Sequence, residues 1–242
     1  MILRHIPLPL TPYTTAATLQ THLVAAQLAH KAAAPTSTPP PHPAVITAQF
    51  HPTYTCGRRE IGTVSPAQRD YLTATTPWGR AQFHETRRGG QTTFHGPGQL
   101  VAYPVLDLQR HKLTPRAWIH LLESAVMSTC AHYGVATART ENPGVWTPAG
   151  EKKICAVGVH LRRNVTSHGV GLNVGVELGW FGRIVGCGLE GKGATDLRRE
   201  MGGRGEVPGV EEVGEVFVGL LAEGLGGVAV VREVVGGGGV IG

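Results

Sequence analysis

A single thiol stands between two glycines in Ile184-Val185-Gly186-Cys187-Gly188-Leu189. Flanking glycines leave the sulfur sterically open, which a nucleophile needs and a packed thiol does not. A solitary cysteine is by itself more often an inert buried hydrophobe, so chemistry at Cys187 requires a neighbouring cation or base. A free thiol has a pKa of about 8.5 and is only a few per cent thiolate at neutral pH. Lowering that value by about two units takes roughly 2.7 kcal/mol, which a close ammonium supplies. Lys152 and Lys153, just before the apolar run at 154–161, are the lysines to weigh, against the plainer reading of a solvated pair at a strand start.

The second concentration of chemistry is Arg87-Arg88-Gly89-Gly90-Gln91-Thr92-Thr93-Phe94-His95-Gly96-Pro97-Gly98-Gln99. Glycines let a backbone approach a ligand, and their exposed N–H groups can hold an oxyanion or carbonyl oxygen. A water-facing turn has the same composition, so this segment alone does not choose. Neither GxxxxGK[ST] nor GxGxxG occurs, so nucleotide binding has no motif behind it. The twelve histidines lack the spacing of metal ligands, and neither a metal nor a cofactor is expected.

Several elements must position these residues. Residues 14–30 carry Leu19, Leu23, Val24 and Leu28 at helical spacing, and the five prolines of 32–43 then make a loop or insertion. A strand is expected at 44–50, a polar loop at 85–97, and a buried strand at 100–108. Thr114 and Pro115 form an N-cap and first-turn pair for a helix that Gly134 stops. Residues 154–161 and 170–176 read as strands of a hairpin turning at 167–169. A helix at 210–225, weakened by Gly214 and Gly219, and a strand at 228–235 precede a glycine tail at 236–239.

Charge is scarce: 22 Lys and Arg against 17 Asp and Glu give 16% charged residues and a net charge of +5, and no acid precedes Glu60. The uncharged stretch from His5 to His30 is broken by Pro7, Pro9 and Pro12, so no window offers the roughly 20 apolar residues of a membrane span. Four scattered cysteines without CxxC pairs suit a reducing compartment. The positive balance favours acidic partners without choosing among nucleic acid, acidic proteins and anionic membrane.

Taken jointly, Arg88 through Leu100, Pro143-Gly144-Val145-Trp146, Lys153-Ile154-Cys155-Ala156-Val157-Gly158, His168-Gly169 with Leu172-Asn173-Val174, and Cys187-Gly188 resemble, in order and spacing, the motifs of the lipoyl(octanoyl) transferases, or lipoate-protein ligase B. The resemblance runs from about Leu3 to Leu197. It implies a single α/β domain of the biotin/lipoate transferase type, with a mixed sheet packed by helices, over residues 1–200; the Gly/Val-rich segment at 201–242 has no counterpart in the family pattern. It implies transfer of an octanoyl group from acyl carrier protein to a lysine of lipoyl-domain proteins, among them the E2 subunits of 2-oxoacid dehydrogenases and the glycine cleavage H protein. Carried over by motif, Cys187 becomes the acyl acceptor and Lys153 the residue that lowers its pKa, with Lys152 one place out of register. Substrate positions fall on Arg88, Gly89, Gly90, Gln91, Thr92, Thr93, Phe94 and His95, on Ala156, Val157 and Gly158, and on His168, Gly169 and Val170. Backbone N–H groups around Gly158 are implied to hold the thioester oxyanion, and His51 to lie in a loop near the pocket. No nucleic acid is implied as partner. The insertions are eukaryote-like and place the enzyme in the mitochondrion, or in the cytoplasm if the source is prokaryotic. An ATP-dependent ligase on the same fold would not need the thiol, and a basic nucleic-acid module would need an aromatic stacking pattern, or a helix-turn-helix or zinc-finger signature, that this sequence lacks.

Overall fold

The computed structural model describes residues 2–33, 39–184 and 192–233; Cys187 and the tail at 236–239 lie outside the described residues. In chain order the strands are β1 (Ile2–Thr11), β2 (Ala44–Phe50), β3 (Thr53–Cys56), β4 (Gln82–Glu85), β5 (Thr93–His95), β6 (Gln99–Val105), β7 (Val145–Trp146), β8 (Lys152–Arg162), β9 (Val165–Asn173), β10 (Gly193–Ala194) and β11 (Ala229–Arg232). The helices are α1 (Tyr13–Ala32), α2 (Pro66–Thr73), α3 (Pro115–His132), α4 (Leu197–Met201) and α5 (Val210–Gly224), with 3-10 turns at Arg58–Glu60 and Leu178–Arg183. The main sheet runs β10-β8-β9-β6-β2-β1-β11 with β7 added to β8, and β4-β3-β5 form a small second sheet. Parallel pairs (β1 with β2 and β11) and antiparallel pairs (β2-β6-β9-β8) share the main sheet, so the domain is mixed α/β.

Strand β6 explains the layering. Its side chains alternate between faces: Leu100 and Ala102 join Trp118, Leu122 and Val126 of α3 and Phe217 and Leu221 of α5. Val101 and Tyr103 join Tyr13, Ala16 and Leu19 of α1. Both faces are covered, which is why this strand reads as one apolar run. Helix α3 begins as its sequence dictates, with the Thr114 hydroxyl accepting from the Ala117 N–H and Pro115 in the first turn. None of the described helices is long and apolar enough to cross a membrane.

Two local expectations change. The hairpin of β8 and β9 turns at Arg163 and Asn164, both left-handed (φ +51° and +66°), with Arg162 paired directly to Val165. This is the two-residue turn that matches strand twist. Ser167, His168 and Gly169, read as the turn from their polarity, are instead buried inside β9. His168 holds φ +57° while its N–H donates to the Gln20 side chain of α1 at 2.5 Å. The segment 85–97, read as loop, contains β5, which pairs with β3.

Helix α5 carries two glycines in different surroundings. A Cβ at Gly214 would lie 3.2 Å from Leu100 Cδ1, whereas one at Gly219 would meet nothing within 4 Å. Gly219→Ala is expected to stabilise the protein by about 0.5–1 kcal/mol through helix propensity, and Gly214→Ala by clearly less, as read from urea unfolding midpoints.

Candidate active site

A cavity of about 390 Å³, within the range of small-molecule sites, opens where β8, β9 and β6 meet the loop at 88–93. Arg88, Gly89, Gly90, Gln91, Thr92, Thr93, His95, Ala156, Val157, Gly158, His168, Gly169, Val170 and Lys153 all line it. Phe94 does not. In β5 the pleat turns Thr93 and His95 toward the cavity and Phe94 to the other side, where its ring stacks on Trp180 at 4.9 Å and meets Tyr54 edge-on. The substrate position expected at Phe94 is therefore a core position. His51 is exposed at the β2–β3 turn, its N–H donating to the Thr11 carbonyl, and is not itself among the lining residues.

Gln99, Tyr103, Trp146, Asn173, Leu178, Phe181, Ile184 and Lys192, which carry no site role in the sequence pattern, also line the cavity, together with Gly171, Gly182, Gly193 and Ala194. Gln99, Trp146 and Asn173 belong to the family-like motifs, which give them no role of their own. Nothing in the spacing marked Leu178 and Phe181, because they arrive on a 3-10 turn.

Arg88 anchors the loop. Its guanidinium donates to the Thr55 carbonyl at 2.6 Å, to the Thr55 hydroxyl, and to the Gly89 carbonyl at 3.0 Å. The loop rests on the sheet through the Gly89 N–H, which donates to the Val159 carbonyl. A Cβ at Gly158 would stand 2.9 Å from the Gly89 oxygen, so the close approach expected at this glycine is one of backbone to backbone.

Lys153 reaches the wall from β8, with Nζ 4.6 Å from the centre of the buried Trp146 ring, a cation–π distance. Lys192 Nζ lies 5.8 Å from the same ring and donates to the Gly150 carbonyl at 2.6 Å. Lys152 is exposed and does not line the cavity. Behind Lys153, Gly144 adopts φ +122°, and a Cβ there would sit 2.7 Å from the Cys155 carbonyl and 3.3 Å from Lys153 Cε. The Gly144 N–H is held by the buried Glu123 carboxylate of α3 at 3.0 Å.

No carboxylate lies among the described lining residues. Burial, with the Arg88 charge adding to it, pushes the His95 imidazole down to about 4 and His168 to about 3. The three described cysteines, Cys56, Cys130 and Cys155, are free and buried, and burial raises each thiol, Cys130 to about 12. None of these three is an activated nucleophile.

The family model for the lipoyl protein ligase A/B catalytic domain matches residues 15–221, and the chain belongs to that family. It is 44% identical over 191 residues to a Schizosaccharomyces pombe protein named "probable octanoyltransferase", covering 78% of this chain and 82% of that one. It is 41% identical over 157 residues to the Danio rerio mitochondrial octanoyl-[acyl-carrier-protein]:protein N-octanoyltransferase, covering 65% of this chain and 67% of the relative. The fold is that of the bi-partite lipoate protein ligase of Thermoplasma acidophilum, with a TM-score of 0.66 at 14% identity over 98% of this chain and 88% of that one.

The buried imidazoles make stability depend on pH. His5 in β1 is also lowered, to about 4, chiefly by burial. Above pH 6.5 folded and unfolded forms are both neutral at these three sites. Below it the unfolded chain binds protons that the native state refuses until its own lower values, so stability falls with acidity. Each site contributes a slope of at most about 1.4 kcal/mol per pH unit. Urea midpoints are expected to drop from pH 6.5 to 4, and His95→Gln to make that decline shallower.

Proposed function

We propose that this protein is an octanoyltransferase that takes the acyl group from octanoyl-acyl carrier protein onto Cys187 and passes it to a lysine of lipoyl domains, such as those of 2-oxoacid dehydrogenase E2 subunits and the H protein. The observation that carries this reading is the placement of the described chain around the nucleophile segment. Ile184 on one side and Lys192 on the other both line the cavity that Lys153 lines. Val157, Val170, Leu178, Phe181 and Ile184 add apolar wall for an alkyl chain, and the relatives' names support the acyl group and its donor.

In this mechanism the Lys153 ammonium favours the Cys187 thiolate, which attacks the thioester carbonyl. The S–C bond to the carrier breaks, and the departing thiolate takes a proton from the Lys153 ammonium, which leaves that amine neutral. Neutral Lys153 then accepts a proton from the incoming lysine, whose free pKa of about 10.4 leaves it poorly nucleophilic as an ammonium. The amine attacks, a C–N bond forms, the Cys187 S–C bond breaks, and the departing sulfur takes the proton that the new amide nitrogen sheds. Negative charge develops on the carbonyl oxygen beside N–H groups of the Gly158 region, a developing charge that fixed donors stabilise best. We place the enzyme in the mitochondrion, as the name of the Danio rerio relative suggests for that protein.

Incubation with octanoyl-carrier protein and no ATP is expected to give an octanoyl adduct on Cys187 by intact mass. Cys187→Ala should abolish it, and Lys153→Ala should slow its formation by about 10²-fold or more. An adduct that persists in Cys187→Ala, or turnover that demands ATP, would sink the mechanism.

The donor's acidic surface has a counterpart beside the cavity loop. Arg58, Arg87 and Arg162 are exposed and all depress the His160 imidazole after burial has done so. The Arg58 N–H donates to the Arg88 carbonyl, which ties this cluster to the lining loop. Reversing all three to Glu is expected to raise KM for octanoyl-carrier protein about tenfold or more, equivalent to about 1.4 kcal/mol, and to weaken its dependence on salt. An unchanged KM would count against docking here.

A further inference from the structure

The cavity wall contains a one-directional chain of side-chain amides. Gln99 Nε2 donates to the Phe94 carbonyl at 3.2 Å and to Asn173 Oδ1 at 2.8 Å, and Asn173 Nδ2 donates to the Thr195 carbonyl at 2.8 Å. A main-chain carbonyl can only accept, so each amide has its nitrogen end fixed and neither can be flipped without facing two acceptors together. Gln99 Oε1 therefore points at His95 Nδ1, 2.7 Å away, and that ring nitrogen must carry the hydrogen. His95 Nε2 is left as a bare lone pair, buried on a residue of the cavity wall and with no hydrogen-bond partner among the described residues.

We propose that Gln99 and Asn173 are positioning residues, holding His95 as an acceptor that takes one N–H of the incoming lysine amine and aims the amine's lone pair at the acyl carbonyl. The proposal rests on the acyltransferase reading above. His95 acts by orientation and not as the base. With its imidazole held near 4 and a lysine amine near 10.4, full transfer of the proton to it is disfavoured by roughly six powers of ten. Because the chain ends on Thr195, three residues beyond Lys192, the ring's orientation is tied to the strand that follows the Cys187 segment.

The test uses the full chain labelled with ¹⁵N-histidine. Long-range ¹H–¹⁵N correlation at pH 7 should show His95 protonated at Nδ1 only, and Gln99→Leu should release that preference. In single-turnover experiments Gln99→Leu should slow transfer from acyl-Cys187 to an apo lipoyl domain by roughly 10- to 100-fold and slow loading of Cys187 far less. Gln99→Glu keeps an acceptor against Nδ1; its other oxygen replaces the donor to the Phe94 carbonyl and Asn173, so Asn173 must turn its Nδ2 toward it, and the added negative charge draws a proton onto Nε2. Its transfer rate should therefore fall further below the wild type's as pH is lowered. A wild-type His95 protonated at Nε2, loading impaired as much as transfer, or a Gln99→Glu transfer rate in constant ratio to the wild type's at every pH would each overturn the proposal. Failure of the wild type to form any adduct on Cys187 would overturn the acyltransferase reading instead, because the tautomer is measured without turnover.

Discussion

Burial of β6 on both faces is the constraint from which the rest follows. A strand flanked by α3 and α5 on one side and α1 on the other has no solvent face to offer, and each large apolar side chain it buries is worth about 1.5–3 kcal/mol. Its polar end cannot join either layer. Gln99, at the start of the strand, instead bonds sideways to Asn173 at the end of β9, and this lateral pairing of polar strand ends lies in the wall of the cavity. The site is thus where two apolar layers stop and the backbone ladder continues.

The same packing sets the electrostatics. A chain with few charges has placed one of them, Arg88, in a buried position where main-chain oxygens and a threonine hydroxyl satisfy it. Burial keeps the neighbouring imidazoles neutral, and the Arg88 charge adds to it. With Lys153 and Lys192 on the wall and no carboxylate among the described lining residues, the cavity is biased toward developing negative charge. A buried cation surrounded by carbonyl dipoles needs little rearrangement when that charge appears, which is what preorganisation means in physical terms.

What could be read from the residues divides along the same line. The helix of α3 was legible because Thr114, Pro115 and Gly134 are local signals whose physics does not depend on the rest of the chain. Strand β2 was legible because it is an apolar run bounded by Pro43 and Pro52. The hairpin turn was misplaced because Ser167, His168 and Gly169 look solvated in sequence, whereas Gln20 of a distant helix satisfies the backbone there. The contiguous motif Arg88 to His95 carried the right neighbourhood but not the pleat, and so Phe94 was placed on the wrong face. Leu178 and Phe181 reach the cavity only through tertiary packing, which no local pattern encodes.

The pairing of β1 with β11 bears on the order in which the protein can be made. These strands are joined by a two-pronged ion pair between Arg4 and Glu233, 229 residues apart. Until residues 229–233 have emerged from the ribosome, β1 is an open edge of a sheet whose other members are already synthesised. An unpaired edge is a template for association with other chains, and so long a loop closes late. An edge left open until its partner strand emerges is the kind of transient surface that chaperones cover.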